Sequence, residues 1–381
     1  MRKVEKLGIE ERVQDVLQRA VAEARVVGAV ALVAHQGEIV ARAVEGLADR
    51  EAGVPMREET VFRYASLTKP VTAVAALGLV EKGVLGLDEP ITRWLPDFRP
   101  SFEGRPACIT VRHLLTHTSG LSYAFLEPRD GPYHAAGVSD GLDQPGLSIA
   151  ENLRRLATLP LAFEPGSRFV YSLSLDVLGE VMARATGESL PSLFSSSIGA
   201  PLGWTRAGFS ARAEDGLATP YADGKPVPVR MTDGIYVPYA GAGATFAPSR
   251  ALDPGSYPSG GAGMVGTAAE FLRFLEALRV RHPFAPRPLL DAMLKDQIPA
   301  IASPILRDGW GYGFGVAVLR DPAAAGSPFN AGSVRWGGAY GNAWFIDEVA
   351  GVSAVLLTNT AFEGMSGRIR DELERAVYGA R

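Results

Sequence analysis

Residues 66–69 read Ser66-Leu67-Thr68-Lys69, and an apolar, alanine-rich run that ends at a glycine follows them as residues 70–83. This pattern predicts a mostly buried helix with a glycine stop. A serine at the start of a helix and a lysine one turn later lie on the same face, so the amine can reach the hydroxyl. A hydroxyl beside a candidate base is the arrangement that turns serine into an acylating nucleophile.

The tetrapeptide also has a plainer interpretation, in which Ser66 caps the helix and Lys69 is a solvated first-turn residue. S-x-x-K matches arise by chance, so the motif alone is weak evidence. The helix dipole disfavours a lysine in the first turn. Burial and the positive helix end both lower a lysine pKa, which suits a group that is needed in its neutral form. These four residues leave both interpretations open.

The composition excludes several classes of protein. The chain has 381 residues, of which 47% are hydrophobic, and a formal net charge of −4, which argues against a nucleic-acid-binding surface. The five histidines lack metal-site spacing, and the lone Cys108, predicted to be a small buried hydrophobe, cannot form an intramolecular disulfide. The N-terminus has no apolar signal region, and the longest apolar stretch, 70–80, is too short to cross a bilayer. We therefore expect a cytoplasmic protein without a membrane or nucleic-acid partner; its oligomeric state stays open.

Strand patterns stand at both ends of the chain and helical patterns in the middle. The N-terminal part predicts a helix over 9–27 and strands over 28–35 and 38–44. The C-terminal part predicts, in order, a helix over 264–280, strands over 313–319, 333–339, 342–347 and 352–359, and a last helix over 365–378. The middle predicts helices over 110–115, 148–159 and 173–186, then an irregular stretch, 200–263, of the kind that forms a lid or a site wall.

This order predicts an α+β fold in which one antiparallel sheet is built from both termini, with helices packed on it and a mostly helical region inserted. We expect a discontinuous sheet domain, 1–85 and 260–381. A mostly helical domain with irregular site-wall loops is expected at 86–259.

Two more segments carry possible chemistry. Tyr171 stands just ahead of the predicted helix at 173–186, and Trp336-Gly337-Gly338 lies in a C-terminal strand. Adjacent glycines in a strand usually mark a close approach by another backbone or a ligand. Taken singly, Tyr171 is equally explained as a buried aromatic residue and the glycines as a bulge.

Together, these segments resemble the serine β-lactamase and penicillin-binding-protein superfamily in their order: S-x-x-K, a tyrosine before a helix, then an x-G-G strand. Segments 113–121, 261–268 and 311–315 also look like recurring segments of that superfamily. The resemblance covers residues 15 to 378, and the fold it implies is the one that the strand and helix patterns predict.

Two departures from the pattern refine the resemblance. Leu173 occupies the place of the asparagine that helps class C β-lactamases bind the substrate's acylamino group. Trp336 replaces the lysine that attracts the substrate carboxylate, and Arg335 next to it should point to the opposite sheet face. Both changes favour an uncharged, apolar ester as the small-molecule substrate, and the Trp-Gly-Gly form is similar to family VIII carboxylesterases.

The resemblance implies roles for these residues. Ser66 would attack the ester carbonyl, and Lys69 or Tyr171 would take its proton. The backbone N–H groups of Ser66 and Ala339 would form the oxyanion hole. Trp336, Gly337 and Gly338 would bind substrate. Tyr123 would also bind substrate as a residue of the cleft wall, and packing in the core is the alternative role for it. No metal or other cofactor is required. Asp176 is interpreted as a polar residue of a helix's first turn rather than as a catalyst.

Other functions compete with ester hydrolysis. Residues 137–141 match G-x-S-x-G around Ser139, but their flanks read as loop rather than as the strand and helix that an α/β-hydrolase elbow needs. Acyl transfer and β-lactamase or D,D-peptidase-type amide hydrolysis would use the same acyl-enzyme. A non-catalytic scaffold of the same fold is a remote alternative.

Overall fold

The computed structural model describes residues 8–282, 284–301 and 306–379. Residues 1–7, on which the prediction about a signal region partly rests, lie outside the described residues. The helices are α1 (Ile9–Ala22), α2 (Thr68–Glu81), α3 (Val111–Leu115), α4 (Pro132–Ala135), α5 (Ile149–Leu156), α6 (Ser174–Thr186), α7 (Leu190–Phe194), α8 (Ala268–Arg279), α9 (Arg287–Met293), α10 (Glu363–Ser366) and α11 (Arg368–Tyr378). The strands are β1 (Gly28–His35), β2 (Glu38–Asp49), β3 (Val54–Pro55), β4 (Phe62–Arg63), β5 (Ser101–Phe102), β6 (Arg105–Pro106), β7 (Tyr221–Ala222), β8 (Val229–Arg230), β9 (Ile235–Tyr239), β10 (Ala242–Phe246), β11 (Val265–Gly266), β12 (Trp310–Tyr312), β13 (Ala317–Leu319), β14 (Val334–Gly338), β15 (Asn342–Asp347) and β16 (Val352–Thr358).

An eight-stranded antiparallel sheet organises the described chain, with the strand order β12-β13-β14-β15-β16-β1-β2-β3. β1 lies between β2 and β16, and its register against β16 pairs Ala29 with Thr358 and Val33 with Ala354. The sheet is therefore built from both ends of the chain, and the predicted α+β architecture is confirmed.

Alternate residues of β1 face two separate hydrophobic layers. Val30 and Leu32 pack in the layer that contains α2 and α8, whereas Ala29, Ala31 and Val33 pack in the layer that contains α1 and α11. Because helices cover both faces of the sheet, β1 is apolar along nearly its whole length. The first layer also holds the helices of the inserted region, so it connects the sheet to the segment that carries Tyr171.

Several predicted boundaries are wrong. α1 ends at Ala22 rather than at residue 27, because Ala24 takes a left-handed conformation with φ of 54° and the chain turns toward β1. Only Ala317–Leu319 of the strand predicted over 313–319 is a strand. The irregular stretch 200–263 contains the hairpins β7–β8 and β9–β10. Cys108 is exposed, so the prediction of its burial is wrong.

Within the described residues, the helices fall short of the length and apolar character that crossing a membrane requires. The cytoplasmic location and the division into a sheet domain and a helical domain stay predictions.

Candidate active site

Ser66 lies in a tight turn, Ala65–Leu67, that runs directly into α2. Ala65 has a φ of 48°, a left-handed conformation that is rare outside glycine and costs roughly 1–2 kcal/mol. The Thr68 hydroxyl donates to the Ala65 carbonyl at 2.7 Å and accepts from the Met264 N–H at 3.1 Å, which holds the turn in place. Strain of this kind is typical of functional sites, where the surrounding structure fixes one side chain.

The structure brings Ser66, Lys69 and Tyr171 together. The Tyr171 hydroxyl donates to Ser66 Oγ at 2.7 Å, and Lys69 Nζ lies 3.1 Å from the same oxygen. Lys69 Nζ also donates to the Gly261 carbonyl at 2.8 Å. Residues 105 positions apart therefore meet at a single hydroxyl.

Lys69 is fully buried. Burial lowers the pKa of Lys69 to about 7, although the carboxylates of Asp176 and Asp140 act in the opposite direction. The interpretation of Lys69 as a solvated first-turn residue is therefore wrong. An amine with this pKa is largely neutral just above pH 7 and can accept a proton.

Tyr171 is held by Trp336, the residue that replaces a lysine in the resemblance described above. The indole Nε1–H of Trp336 donates to the Tyr171 hydroxyl oxygen at 3.1 Å, and the two rings lie 5.2 Å apart. Burial raises the pKa of Tyr171, while the hydrogen bond that Tyr171 donates to Ser66 and the one that it accepts from Trp336 oppose that rise. Because an indole N–H can only donate, it leaves the Tyr171 proton free to point at Ser66.

Of the two glycines of β14, Gly338 lies against the serine turn, whereas Gly337 lies against Met365. A Cβ atom at Gly338 would lie 2.4 Å from the Tyr64 carbonyl oxygen, and one at Gly337 would lie 2.7 Å from Met365 Cγ. The predicted close approach of another backbone is therefore confirmed at Gly338. From β15, the Asn342 amide donates to the Arg63 carbonyl at 2.8 Å, which ties the sheet to the chain before the nucleophile.

β14 also presents a free edge to the site. β13 pairs with β14 only at Val334 and Arg335, so no strand of the described chain covers that edge beyond Arg335. Ala339 follows directly and lines the same cavity as Ser66. Ser66 stands in the first turn of a helix, where backbone N–H groups lack intrahelical acceptors. Both predicted oxyanion-hole residues thus border one cavity.

That cavity has a volume of about 230 Å³. Its wall is largely apolar and aromatic, and part of it comes from the β9–β10 hairpin and the start of α10. Apolar lining residues include Phe125, Leu126, Leu142, Tyr239, Phe362 and Met365. Such a wall suits an apolar substrate.

Tyr123 lines the cavity but is almost completely buried, at 1% exposure. Its ring stacks on Phe125 at 4.5 Å and lies 5.1 Å from Tyr171. It therefore combines the two predicted roles of cleft residue and packing residue. Leu173 is fully buried in the core and contributes no polar group to the cavity.

Three arginines, Arg307, Arg335 and Arg370, also line the cavity. Arg335, which was predicted to point to the sheet face opposite Trp336, borders this cavity and pairs with Glu374 at 3.0 Å. Arg370 pairs with Asp371 at 2.7 Å. Two of these cations are therefore partly neutralised by neighbouring carboxylates.

The sequence did not identify all the residues around Lys69. Asp176 does lie in the first turn of α6, but it is buried near Lys69 rather than solvated. Asp140 accepts from the Ala124 and Phe125 N–H groups and borders the cavity. Only tertiary packing makes these carboxylates neighbours of Lys69, so no local pattern signals them.

The alternative nucleophile, Ser139, does not form a second site. It is fully buried, and its hydroxyl donates to the Asp143 carboxylate at 2.5 Å. His282, which would have to complete an α/β-hydrolase triad, packs against Phe284 instead. The α/β-hydrolase interpretation is therefore wrong.

The chain is similar to known proteins along almost its whole length. A model of the Beta-lactamase family matches residues 13–379. Esterase EstB of Burkholderia gladioli is 52% identical over 371 residues, which cover 96% of this chain and 94% of that protein. Monacolin J acid methylbutanoyltransferase of Aspergillus terreus is 32% identical over 341 residues, covering 78% and 76% respectively. The solved structure of EstCE1, a hydrolase with promiscuous acyltransferase activity, superposes with a TM-score of 0.94 at 43% identity and covers 98% of this chain and 99% of that one.

Proposed function

The chain belongs to the Beta-lactamase family, and we propose that it is a serine carboxylesterase that cleaves short-chain, uncharged esters through an acyl-enzyme on Ser66. One observation carries the proposal: Ser66 Oγ lies 3.1 Å from the buried amine of Lys69 and 2.7 Å from the Tyr171 hydroxyl. The similarity to Esterase EstB, which is 52% identical, supports the same reaction.

The hydrogen bonds around Ser66 form one directional chain. The Trp336 N–H donates to Tyr171, and the Tyr171 O–H donates to Ser66. The Ser66 proton is then free to point at a neutral Lys69 amine. Since burial raises the pKa of Tyr171, we assign the role of base in acylation to Lys69. Tyr171 then serves as the acid that donates a proton to the departing alcohol.

Acylation follows from these positions. Ser66 Oγ attacks the ester carbonyl, its proton passes to Lys69, and the negative charge on the carbonyl oxygen develops between the Ser66 and Ala339 N–H groups. Backbone donors in a helix start and at a strand end need little reorganisation to stabilise that charge. Water then hydrolyses the acyl-enzyme. The assigned residues supply a nucleophile, a base, an acid and an oxyanion hole, so the reaction needs no metal or other cofactor.

The substrate preference rests on the cavity wall. Trp336 places a neutral ring where a lysine would bind a carboxylate, and Gly337 beside it borders the same cavity. Gly338 packs against the Tyr64 carbonyl instead of lining the cavity. Tyr123 and Phe125 add aromatic surface on the other side. An uncharged acyl group loses little solvation in such a wall, whereas a carboxylate would lose much more.

The test compares short p-nitrophenyl esters, a chromogenic cephalosporin and a D-Ala-D-Ala peptide as substrates. We expect the esters to have the highest kcat/KM, and Ser66→Ala to abolish their hydrolysis. The esterase proposal fails if the cephalosporin or the peptide has the higher kcat/KM. A protein that neither turns over any of these substrates nor forms an adduct with a serine-directed phosphonate would be a non-catalytic scaffold.

Acyl transfer is the second candidate. EstCE1 is described as a hydrolase with promiscuous acyltransferase activity, and another relative is named a methylbutanoyltransferase. An apolar cavity can hold an alcohol acceptor in place of water. Adding a small alcohol to the ester assay, and measuring the ratio of new ester to free acid, separates the two reactions.

A further inference from the structure

Asp176 is a buried carboxylate without an ordinary partner. It lies in the first turn of α6, is 3% exposed, and neither carboxylate oxygen has a hydrogen-bond partner. The Ser259 hydroxyl and the Gly261 N–H lie nearby without meeting hydrogen-bond geometry. Burying a carboxylate in this way is unfavourable unless another charge compensates for it.

The compensating charge is at Lys69. A Cβ atom at Gly261 would lie 2.4 Å from Asp176 Oδ2, so the carboxylate packs directly against this glycine. The carbonyl of the same glycine accepts the hydrogen bond from Lys69 Nζ at 2.8 Å. Asp176 and Lys69 interact electrostatically across this segment without forming a direct ion pair.

Other ionisable groups face this pair from several elements. They are His117, Tyr123, Asp140, Tyr171, Arg250 and Tyr257. Asp140 is committed to two backbone N–H groups, and Arg250 donates to the Tyr257 carbonyl at 2.6 Å. Among the described residues that face Lys69, Asp176 is therefore the carboxylate left without hydrogen bonds of its own.

We propose that Asp176 is a positioning residue for Lys69, whose carboxylate stabilises the ammonium group that Lys69 becomes when it takes the proton of Ser66. Its role corresponds to that of the buried aspartate in a Ser-His-Asp triad, which stabilises the conjugate acid of the base. The inference rests on the proposed function in requiring Ser66 as the nucleophile.

The step balances without any additional reactant. The Ser66 O–H bond breaks, its proton forms a new bond to Lys69 Nζ, and the serine oxygen bonds to the carbonyl carbon, whose π electrons move to the carbonyl oxygen. When the intermediate collapses, Tyr171 protonates the departing alkoxide and the lysine proton restores Tyr171. Asp176 neither gains nor loses a proton in this sequence; it offsets the positive charge while that charge exists.

The test measures how fast a neutral p-nitrophenyl phosphonate inactivates the protein from pH 5 to 9, because phosphonylation requires Ser66 and its base but no particular substrate. For the wild type, the inactivation rate should rise with pH around a midpoint of about 7, where Lys69 becomes neutral. In Asp176→Asn, loss of the nearby negative charge should move that midpoint down by about 1 pH unit or more. The rate on the plateau should fall by about tenfold or more, because the ammonium is no longer stabilised.

Ser259→Ala is the matched control, because it removes a buried hydroxyl beside Asp176 without changing any charge. Its midpoint should stay within about 0.3 pH unit of the wild type. An Asp176→Asn midpoint equal to or above that of the wild type would overturn the inference, since a merely structural residue would lower stability without moving the midpoint downward. If the wild type reacts with the phosphonate but hydrolyses no ester, the proposed function fails while this inference stands.

Two further measurements cover variants that do not fold. Asp176→Ser removes the same charge with a smaller side chain and should move the midpoint in the same direction. In wild-type protein labelled with [4-13C]aspartate, one carboxyl resonance should shift over the same pH range as the inactivation rate, because the charge on Lys69 acts on the nearby Asp176 carboxylate. A spectrum without such a resonance would contradict the inference.

Discussion

The hydrogen bond from Trp336 to Tyr171 yields a prediction that distinguishes the effect of the indole N–H on catalysis from the effect of the ring's size. Trp336→Phe keeps an aromatic ring in the cavity but removes the donor that lies 3.1 Å from the Tyr171 oxygen. That oxygen gains negative charge when Tyr171 protonates the leaving alcohol. Without the indole N–H, the developing phenolate loses a donor inside a buried site.

The expected loss of rate follows from the negative charge that develops on the Tyr171 oxygen, which accepts this hydrogen bond. A hydrogen bond to a charged group contributes about 1.5–3 kcal/mol, and about 1.4 kcal/mol corresponds to a tenfold change in rate. We therefore expect Trp336→Phe to lower kcat by about 10- to 100-fold for an ester of an unactivated alcohol, whose alkoxide must be protonated as it leaves. The value of KM should change less, because the neutral ester does not require the donor for binding.

Trp344→Phe provides the matched control. Trp344 pairs directly with Trp336 across β14 and β15, it is 2% exposed, and its indole nitrogen has no hydrogen-bond partner. Both substitutions remove one indole from the same part of the sheet, so their thermal unfolding can be compared directly. We expect kcat of Trp344→Phe to stay within about threefold of the wild type. A Trp336→Phe enzyme that retains its kcat within the same limit, with esters of both good and poor leaving groups, would refute the proposed donation.

Three other outcomes follow from the geometry. The value of kcat/KM should rise with pH through about 7, the pKa of Lys69, because below that value the amine is charged and cannot act as a base. A flat profile from pH 5 to 9 would exclude Lys69 as the base. Gly338→Ala should remove most activity and lower the melting temperature, because its Cβ would lie 2.4 Å from the Tyr64 carbonyl oxygen. Gly208→Ala is the control: its Cβ would have no atom within 4 Å, so activity and melting temperature should both be preserved. Ser139→Ala should retain ester hydrolysis, and its free energy of unfolding in urea should fall by about 1 kcal/mol. Complete loss of activity in the folded variant would make Ser139 a candidate nucleophile again.

The sequence predicts the sheet and the pairing of Ser66 with Lys69 well because each has a local signature. Alternation and apolar runs define the strands on either side of β1, and Ser66 and Lys69 are one helical turn apart. Tyr171 and Trp336 could be assigned only because their order along the chain matches a known family, since neither carries a local signal that excludes simple packing.

What the sequence did not predict depends on contacts between distant segments. The burial of Asp176 requires α6 to pack against Gly261, and no pattern within α6 reveals that neighbour. The hairpins inside 200–263 are short and rich in glycine and proline, so alternation is too weak to identify them. α1 ends early because the Arg25 and Val26 N–H groups both reach back to the Ala20 carbonyl, and this turn lies within an unbroken amphipathic pattern.

The position of β1 has a consequence for how the protein is made. The Gly28 N–H donates to the Asn359 side chain across 331 positions of sequence, and β1 acquires its second neighbour, β16, only when nearly the whole chain exists. At about 5–20 residues per second, a ribosome takes tens of seconds to cover that distance. During that time β1 lacks β16, the strand that pairs with the edge opposite β2. Because Asn342 of β15 also holds the chain just before Ser66, the position of Ser66 becomes fixed only when the C-terminal strands join the sheet.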